Sequence, residues 1–82
     1  MLKIKDNVDL KQLKKFGFKL NEDKTQYEQE IDGHWWDLRY VDIEEKWLGH
    51  IGDDGITDDD EFLELIFDDL IKANMVDKVE EW

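Results

Sequence analysis

The sequence predicts an α+β domain in which a small three-stranded antiparallel sheet packs against an N-terminal helix and C-terminal helices, in the order α-β-β-β-α-α. Three observations support this class. Apolar residues recur at helical spacing over 9–16, an Asp32-Gly33 pair separates two alternating segments, and a second helical pattern runs over 58–73. A chain of 82 residues holds one hydrophobic core, so we expect a single domain spanning 1–82.

The first helix is expected at about 9–16. Asn7 or Asp9 can cap its start, because a short side-chain acceptor satisfies free amide groups there. Gly17 is suited to the left-handed residue that follows a helix. One apolar stripe would face the core: Leu10, Leu13 and Phe16.

The Asp32-Gly33 pair is the strongest local signal in the chain, since it suits both positive-φ positions of a type I′ turn. A two-residue loop fixes the register of the hairpin around it. In that register Tyr27 lies opposite Leu38 on a largely apolar face. Trp35 and Arg39 then lie on the opposite, charged face, where Arg39 offsets neighbouring carboxylates.

Two further strands complete the predicted β region. A strand at about 46–51 follows a turn near 42–45, and it forms the third strand of the sheet. The segment 18–20 can add another short strand, with 21–24 as its turn.

The last third of the chain is predicted to be helical. Thr57 or Asp58 can cap a helix of about 58–73, and one or two further turns can end near Trp82. The apolar residues of this helix fall on one broad face: Phe62, Leu63, Ile66, Phe67 and Leu70.

The composition excludes several function classes. The chain has 23 acidic and 11 basic residues, a net charge of −12, so it repels phosphate and we expect no direct nucleic-acid binding. It contains no Cys and no Ser, the two commonest catalytic nucleophiles, and we therefore expect no enzyme and no cofactor. It has no apolar run long enough for a membrane span and no signal-peptide pattern, so the expected compartment is the cytoplasm.

The acidic segment 53–69 is the most unusual feature, because it contains no Lys or Arg. On a helix, Glu61, Glu64 and Asp68 rise in steps of about 4.5 and 6 Å, close to the spacing of about 3.4 Å per charge on one DNA strand. The segment can therefore imitate nucleic acid in a basic channel, or it can be a solvated helix surface whose acids favour the N-terminus. Its nine acids are Asp53, Asp54, Asp58, Asp59, Asp60, Glu61, Glu64, Asp68 and Asp69.

Two apolar side chains are candidate contact residues. Leu65 projects within the acidic face and can anchor a partner, or it can pack beneath the sheet or the C-terminal turns. Trp35 on the charged face can anchor a partner, or the C-terminal segment can cover it.

A metal site has weak support. Asp53 and Asp54 can hold Ca²⁺ or Mg²⁺ weakly, but an EF-hand loop does not fit, because His50 and Gly52 would occupy its first two ligand positions. We predict no metal ligand.

Several segments resemble small uncharacterised proteins of phages and prophages of Gram-positive bacteria. They are MLKIKDNVD at 1–9, LKKFGF at 13–18, Trp35-Trp36 within a strand, LIKA at 70–73 and VDKVE at 76–80. The resemblance implies a phage context and the bacterial host cytoplasm. In size, acidity and expected element order the chain also resembles type II anti-CRISPR proteins, which typically occupy the site where the effector nuclease reads DNA.

Together these observations predict a phage-type inhibitor. It would place the acids of 53–69 on a basic nucleic-acid-binding surface of a host defence enzyme, most specifically a CRISPR effector nuclease. The alternative is a non-catalytic adaptor whose contact surface is aromatic and apolar, through Trp35, Leu65 or Trp82.

Overall fold

A computed structural model describes residues 1–31, 37–52, 55–57 and 59–80, with only the backbone described at 56 and 57. Within these ranges the strands form two antiparallel sheets, and the α-helices lie near the C-terminus. The elements are β1 (Leu2–Ile4), a 3₁₀ helix (Leu10–Phe16), β2 (Lys19–Leu20), β3 (Gln26–Glu30), β4 (Leu38–Asp42), β5 (Leu48–Gly52), β6 (Gly55–Thr57), α1 (Asp60–Ile66), α2 (Asp68–Lys72) and β7 (Val76–Lys78).

The prediction of a three-stranded sheet is wrong. The described strands form a large sheet in the order β2-β3-β4-β5-β6, with every neighbouring pair antiparallel. The meander β3-β4-β5 corresponds to the expected strands, and two short strands extend it at the edges. β2 confirms the optional strand at 18–20, and β6 turns back along β5 with Gly52 opposite Gly55. Gly55 has a φ of 104°, which glycine adopts without strain.

The predicted hairpin register is also wrong. Tyr27 pairs with Val41, three residues further along β4 than Leu38. Because the shift is odd, it exchanges the two faces of β4, so that Arg39 and Val41 share the face of Tyr27. This register places Tyr27, Val41 and Leu48 side by side, all buried, which explains why it is favoured. The Asp32-Gly33 turn itself lies outside the described residues.

The predicted element order is wrong at both ends of the chain. β1 precedes the first helix and pairs with β7, so that Leu2 lies opposite Lys78 and Ile4 opposite Val76. The segment expected to add helical turns after Asn74 is therefore extended at 76–78. A backbone hydrogen bond of 2.9 Å from the Ile4 amide to the Lys46 carbonyl joins this small sheet to the large one.

The N-terminal helix lies where it was predicted, but it is a 3₁₀ helix. Asp9 caps it by accepting a hydrogen bond of 2.9 Å from the Lys11 amide. Gly17 ends it with a φ of 92°, and the Gly17 amide donates back to the Lys14 carbonyl at 3.2 Å. Leu13 is the fully buried side chain of this helix.

The C-terminal helical region is two short helices instead of one. Phe67 separates α1 from α2 with a φ of −107° and a ψ of 22°, outside helical values. Its side chain is fully buried and stacks on Phe18 with 6.3 Å between ring centroids. The core brings together residues of both sheets and both helices: Leu2, Ile4, Leu13, Phe18, Tyr27, Val41, Leu48, Leu63, Phe67, Leu70 and Met75.

Candidate functional site

The acidic segment begins α1 and continues into α2. Asp59, one residue after the predicted caps, is the N-cap, and its carboxylate accepts a hydrogen bond of 3.1 Å from the Glu61 amide. Asp60 and Glu61 then lie in the first turn, where negative charge complements the helix dipole. Part of the acidic pattern therefore serves to start the helix, as the solvated-surface interpretation expected.

Cations from outside the segment pair with two of its acids, Asp60 and Asp68. The Asp60 carboxylate accepts a hydrogen bond of 3.0 Å from the Met1 ammonium and lies 3.9 Å from the Lys78 ammonium. Asp68 forms an exposed ion pair of 2.9 Å with Lys72, one helical turn on. This hydrogen bond and the nearby negative charge raise the pKa of Lys72 above its ordinary value. The absence of Lys and Arg within 53–69 thus does not leave all of its charges unbalanced.

Asp69 is bound within the fold instead of facing a partner. Its two carboxylate oxygens accept hydrogen bonds of 2.8 Å from the two terminal nitrogens of Arg39, in a bidentate pair. Partial burial raises the pKa of Asp69. The hydrogen bonds and charge of Arg39, together with a hydrogen bond from the Leu70 amide, lower this pKa by more than burial raises it. The net pKa of Asp69 lies below its ordinary value. The prediction that Asp69 belongs to a partner-facing row therefore needs correction.

Arg39 is the centre of this internal cluster and is only 7% exposed. Its Nε donates to the Gln29 side-chain oxygen at 2.8 Å, and its Nη1 donates to the Ile66 carbonyl at 2.6 Å. The guanidinium carbon lies 4.6 Å from the Phe18 ring centroid and 5.3 Å from that of Phe67. The cluster fixes the end of α1 and the start of α2 against the sheet.

The sequence interpretation placed Arg39 on the charged face because the predicted register was wrong. One signal could have found its true position: it is the single Arg of the chain and stands two residues before Val41, so both share one face of a strand. An Arg on the face of a buried Val needs an internal carboxylate.

Glu61 and Glu64 are acids for which the described part of the chain supplies no ion-pair partner. Both are exposed on α1, and no cation of the described chain forms an ion pair with either carboxylate. Leu65 is 76% exposed, the most exposed large apolar residue in the described ranges, and it follows Glu61 by one turn. We call these three residues the α1 surface. The expectation that Leu65 packs beneath the sheet is wrong, and its exposure fits the contact interpretation.

The remaining predicted contact residues cannot be placed. Asp53, Asp54 and Asp58, with Trp35 and Trp82, lie outside the described residues. The weak cation site proposed at Asp53 and Asp54 lies there as well.

His50 is a buried polar residue that is not among the predicted contact residues. It lies on β5, with its ring edge-on to Phe62 at 4.9 Å between centroids. Its Nε2 is 4.0 Å from an Asp37 carboxylate oxygen, and its buried Nδ1 has no hydrogen-bond partner among the described residues. Asp37 is thus the described carboxylate beside the His50 ring. His50 occupies the sheet face next to Arg39.

Among the described residues no cluster of three or more His, Asp or Glu side chains has the arrangement of a metal site. Over the same residues, no helix has the length and apolar character that crossing a membrane requires. Comparisons with protein-family models, with curated proteins and with solved structures give no match to this chain. The resemblance to phage proteins therefore stays a prediction.

Proposed function

We propose that this chain is a non-catalytic inhibitor that binds a basic, nucleic-acid-binding protein through the α1 surface. The observation that carries the proposal is Leu65, 76% exposed and one helical turn from Glu61, with Glu64 directly before it. An exposed apolar residue with two exposed carboxylates on the same helix suits a basic protein surface, because the apolar contact supplies affinity and the charges steer association.

The net charge of −12 also supports binding to a basic protein. A strongly acidic domain is attracted to basic channels that normally hold DNA or RNA, and association by such steering is sensitive to salt. The acids available for this contact are fewer than the sequence predicted, because Asp59, Asp60 and Asp69 act inside the fold. Of the described acids of 53–69 that do not act in this way, Glu61, Glu64 and Asp68 are exposed to a partner, Asp68 within its solvent-exposed pair with Lys72.

The most specific form of the proposal is an anti-CRISPR protein that acts in the bacterial host cytoplasm on the effector nuclease of a type II system. Its support is the size and acidity of the chain, together with the resemblance to phage proteins. The expected α-β-β-β-α-α order no longer supports it, since β1 and β7 frame the observed fold.

The test compares two triple variants that change the net charge equally. Glu61→Gln/Glu64→Gln/Asp68→Asn neutralises both acids of the α1 surface and the exposed Asp68 at the start of α2, whereas Glu22→Gln/Asp23→Asn/Glu44→Gln neutralises exposed acids elsewhere. The wild type and both variants are immobilised in turn, and each is incubated with a host lysate at about 50 and about 200 mM salt.

We expect the wild type and the control variant to capture a basic nucleic-acid-binding protein at low salt and to lose it at high salt. The surface variant should fail to capture it, and duplex DNA should compete. For the specific form, the wild type and control variant should block target cleavage by a guide-loaded effector nuclease. Full capture and inhibition by the surface variant would refute the proposal.

Exposed apolar residues near Leu65 favour the adaptor as a second candidate. Phe62 is 38% exposed on the same helix. If the contact is mainly apolar, binding should survive high salt and fail in Leu65→Ser, while the neutralised triple variant still binds.

A further inference from the structure

Beyond the end of β2, no described strand pairs with the edge of β3 that lies next to the α1 surface. β2 pairs with β3 only at Lys19 with Glu28 and at Leu20 with Tyr27. Gly17 would be the next residue opposite Glu30, but its amide donates to the Lys14 carbonyl as the C-cap of the 3₁₀ helix. The strand pairing therefore stops before Glu30.

The main chain of Glu30 points toward this open edge. The Ile31 amide donates to the Asp37 carbonyl at 3.1 Å, so Ile31 and Asp37 form a hydrogen-bonded pair with β4. Because such pairs alternate along an antiparallel ladder, the Glu30 amide and carbonyl face away from Leu38 and toward the side of β2. Neither group has a backbone partner among the described residues.

Clefts lie on both sides of this edge. The first, of about 350 Å³, lies between the end of β3 and α1, and its walls include Ile31, Leu65 and Ile66. The second, of about 420 Å³, lies toward β2, and its walls include Lys19 and Glu28. Glu30 borders both.

We propose that an extended basic segment of the partner protein adds to β3 at this edge, an inference that rests on the proposed function. Its main chain would hydrogen-bond to the Glu30 amide and carbonyl, the mode by which peptides extend a sheet. Side chains of a strand alternate between faces. An apolar side chain would therefore enter the first cleft against Leu65, and its cationic neighbours would lie on the side of Glu28.

The charge and shape of the β3 edge favour a basic, extended segment of the partner. Glu28 and Glu30 lie on one sheet face with Lys19 as the described cation opposite them, and Glu61 is free on α1. A segment that alternates cationic and apolar residues matches both faces, whereas an acidic segment would be repelled by the net charge of −12.

The probe is a capped peptide in which lysine and leucine alternate, titrated into the isotopically labelled full chain and followed by NMR. We expect shifts concentrated at 28–31 and 64–66, and slower hydrogen exchange of the Glu30 amide. N-methylation of alternate residues removes the amide donors along one edge of the peptide strand, so the peptide whose methylated edge faces β3 should bind at least about tenfold more weakly. Both N-methylation frames are tested.

Two pairs of variants complete the test. Leu65→Ser should lower the affinity for the peptide at least about fivefold. Ile71→Ser, which alters another exposed apolar residue, should leave this affinity unchanged. Glu30→Lys should lower the affinity for the peptide more than Glu22→Lys does. Equal binding of both N-methylated peptides and the parent, or shifts spread evenly over all acidic positions, would overturn the inference.

The outcome is separable from that of the proposed function. If the peptide fails at the β3 edge while capture of the basic partner still depends on Glu61 and Glu64, the edge inference is wrong and the function stands. If the peptide binds at Glu30 but the neutralised α1 surface still inhibits fully, the function is wrong and the edge site stands.

Discussion

The Arg39–Asp69 pair allows a quantitative prediction for Asp69→Ala. The Arg39 side chain is 9% exposed, and it would lose its carboxylate partner while remaining inside the fold. Removing one partner of a fully buried pair costs about 3–5 kcal/mol, while an exposed pair contributes about 0–1 kcal/mol. The Asp69 side chain is 40% exposed, so water already screens the pair. We therefore expect Asp69→Ala to lower the free energy of unfolding by about 2–3 kcal/mol.

The double variant Arg39→Met/Asp69→Ala provides the control. Methionine keeps an apolar side chain against Phe18 and Phe67 but carries no charge, so nothing ionised is left without a partner. Gln29 and the Ile66 carbonyl lose their donors, which costs about 1–2 kcal/mol. The double variant should therefore be more stable than Asp69→Ala alone.

Urea unfolding at neutral pH, followed by far-UV circular dichroism and tryptophan fluorescence, measures both variants. A loss of 1 kcal/mol in a domain of this size lowers Tm by about 4–8 °C, so thermal unfolding gives an independent check. The reasoning fails if Asp69→Ala costs less than about 0.5 kcal/mol, or if the double variant is no more stable than the single one.

Three further outcomes follow from individual residues. Leu65→Ser should change the free energy of unfolding by less than about 0.5 kcal/mol in urea titration, because the side chain is 76% exposed; a larger loss would place Leu65 in the core. Gly49→Ala should lower it by about 1–3 kcal/mol, because a β-carbon at Gly49 would overlap the Tyr40 ring across the strand pair; wild-type stability would contradict that packing. Since the folded state lowers the pKa of Asp69, its contribution is complete above the unfolded value of about 3.9 and is lost as pH falls through the lower folded value. Urea midpoints measured from neutral pH into this acidic window should therefore fall more steeply for the wild type than for Asp69→Asn, and equal slopes would count against the pair.

Local chemistry was sufficient to predict the short-range features. The cap at Asp9, the left-handed Gly17 and the meander of three strands depend on neighbouring residues, and the structure contains all of them. Helical spacing likewise identified Leu63, Phe67 and Leu70 as core residues. It could not predict the break at Phe67, because the stacking of that ring on Phe18 depends on the tertiary fold.

Long-range features were beyond the sequence patterns used. The hairpin register depends on the length of the connection after Glu30, and the Asp32-Gly33 pair indicated too short a loop. That error placed Arg39 on the wrong face and hid the partner of Asp69. For the candidate site, the sequence identified the acids and Leu65, but only the fold separates the acids that stabilise it from those that remain free.

The pairing of β1 with β7 has a consequence for the order of folding. Leu2 and Lys78 are separated by almost the whole chain, so bringing them together costs more chain entropy than closing the hairpins of the large sheet. Contacts between residues so distant in sequence slow folding, because they stabilise the chain only after the intervening core has formed. The meander can therefore assemble first, and the small sheet then closes late, completing the core by burying Leu2 and Ile4.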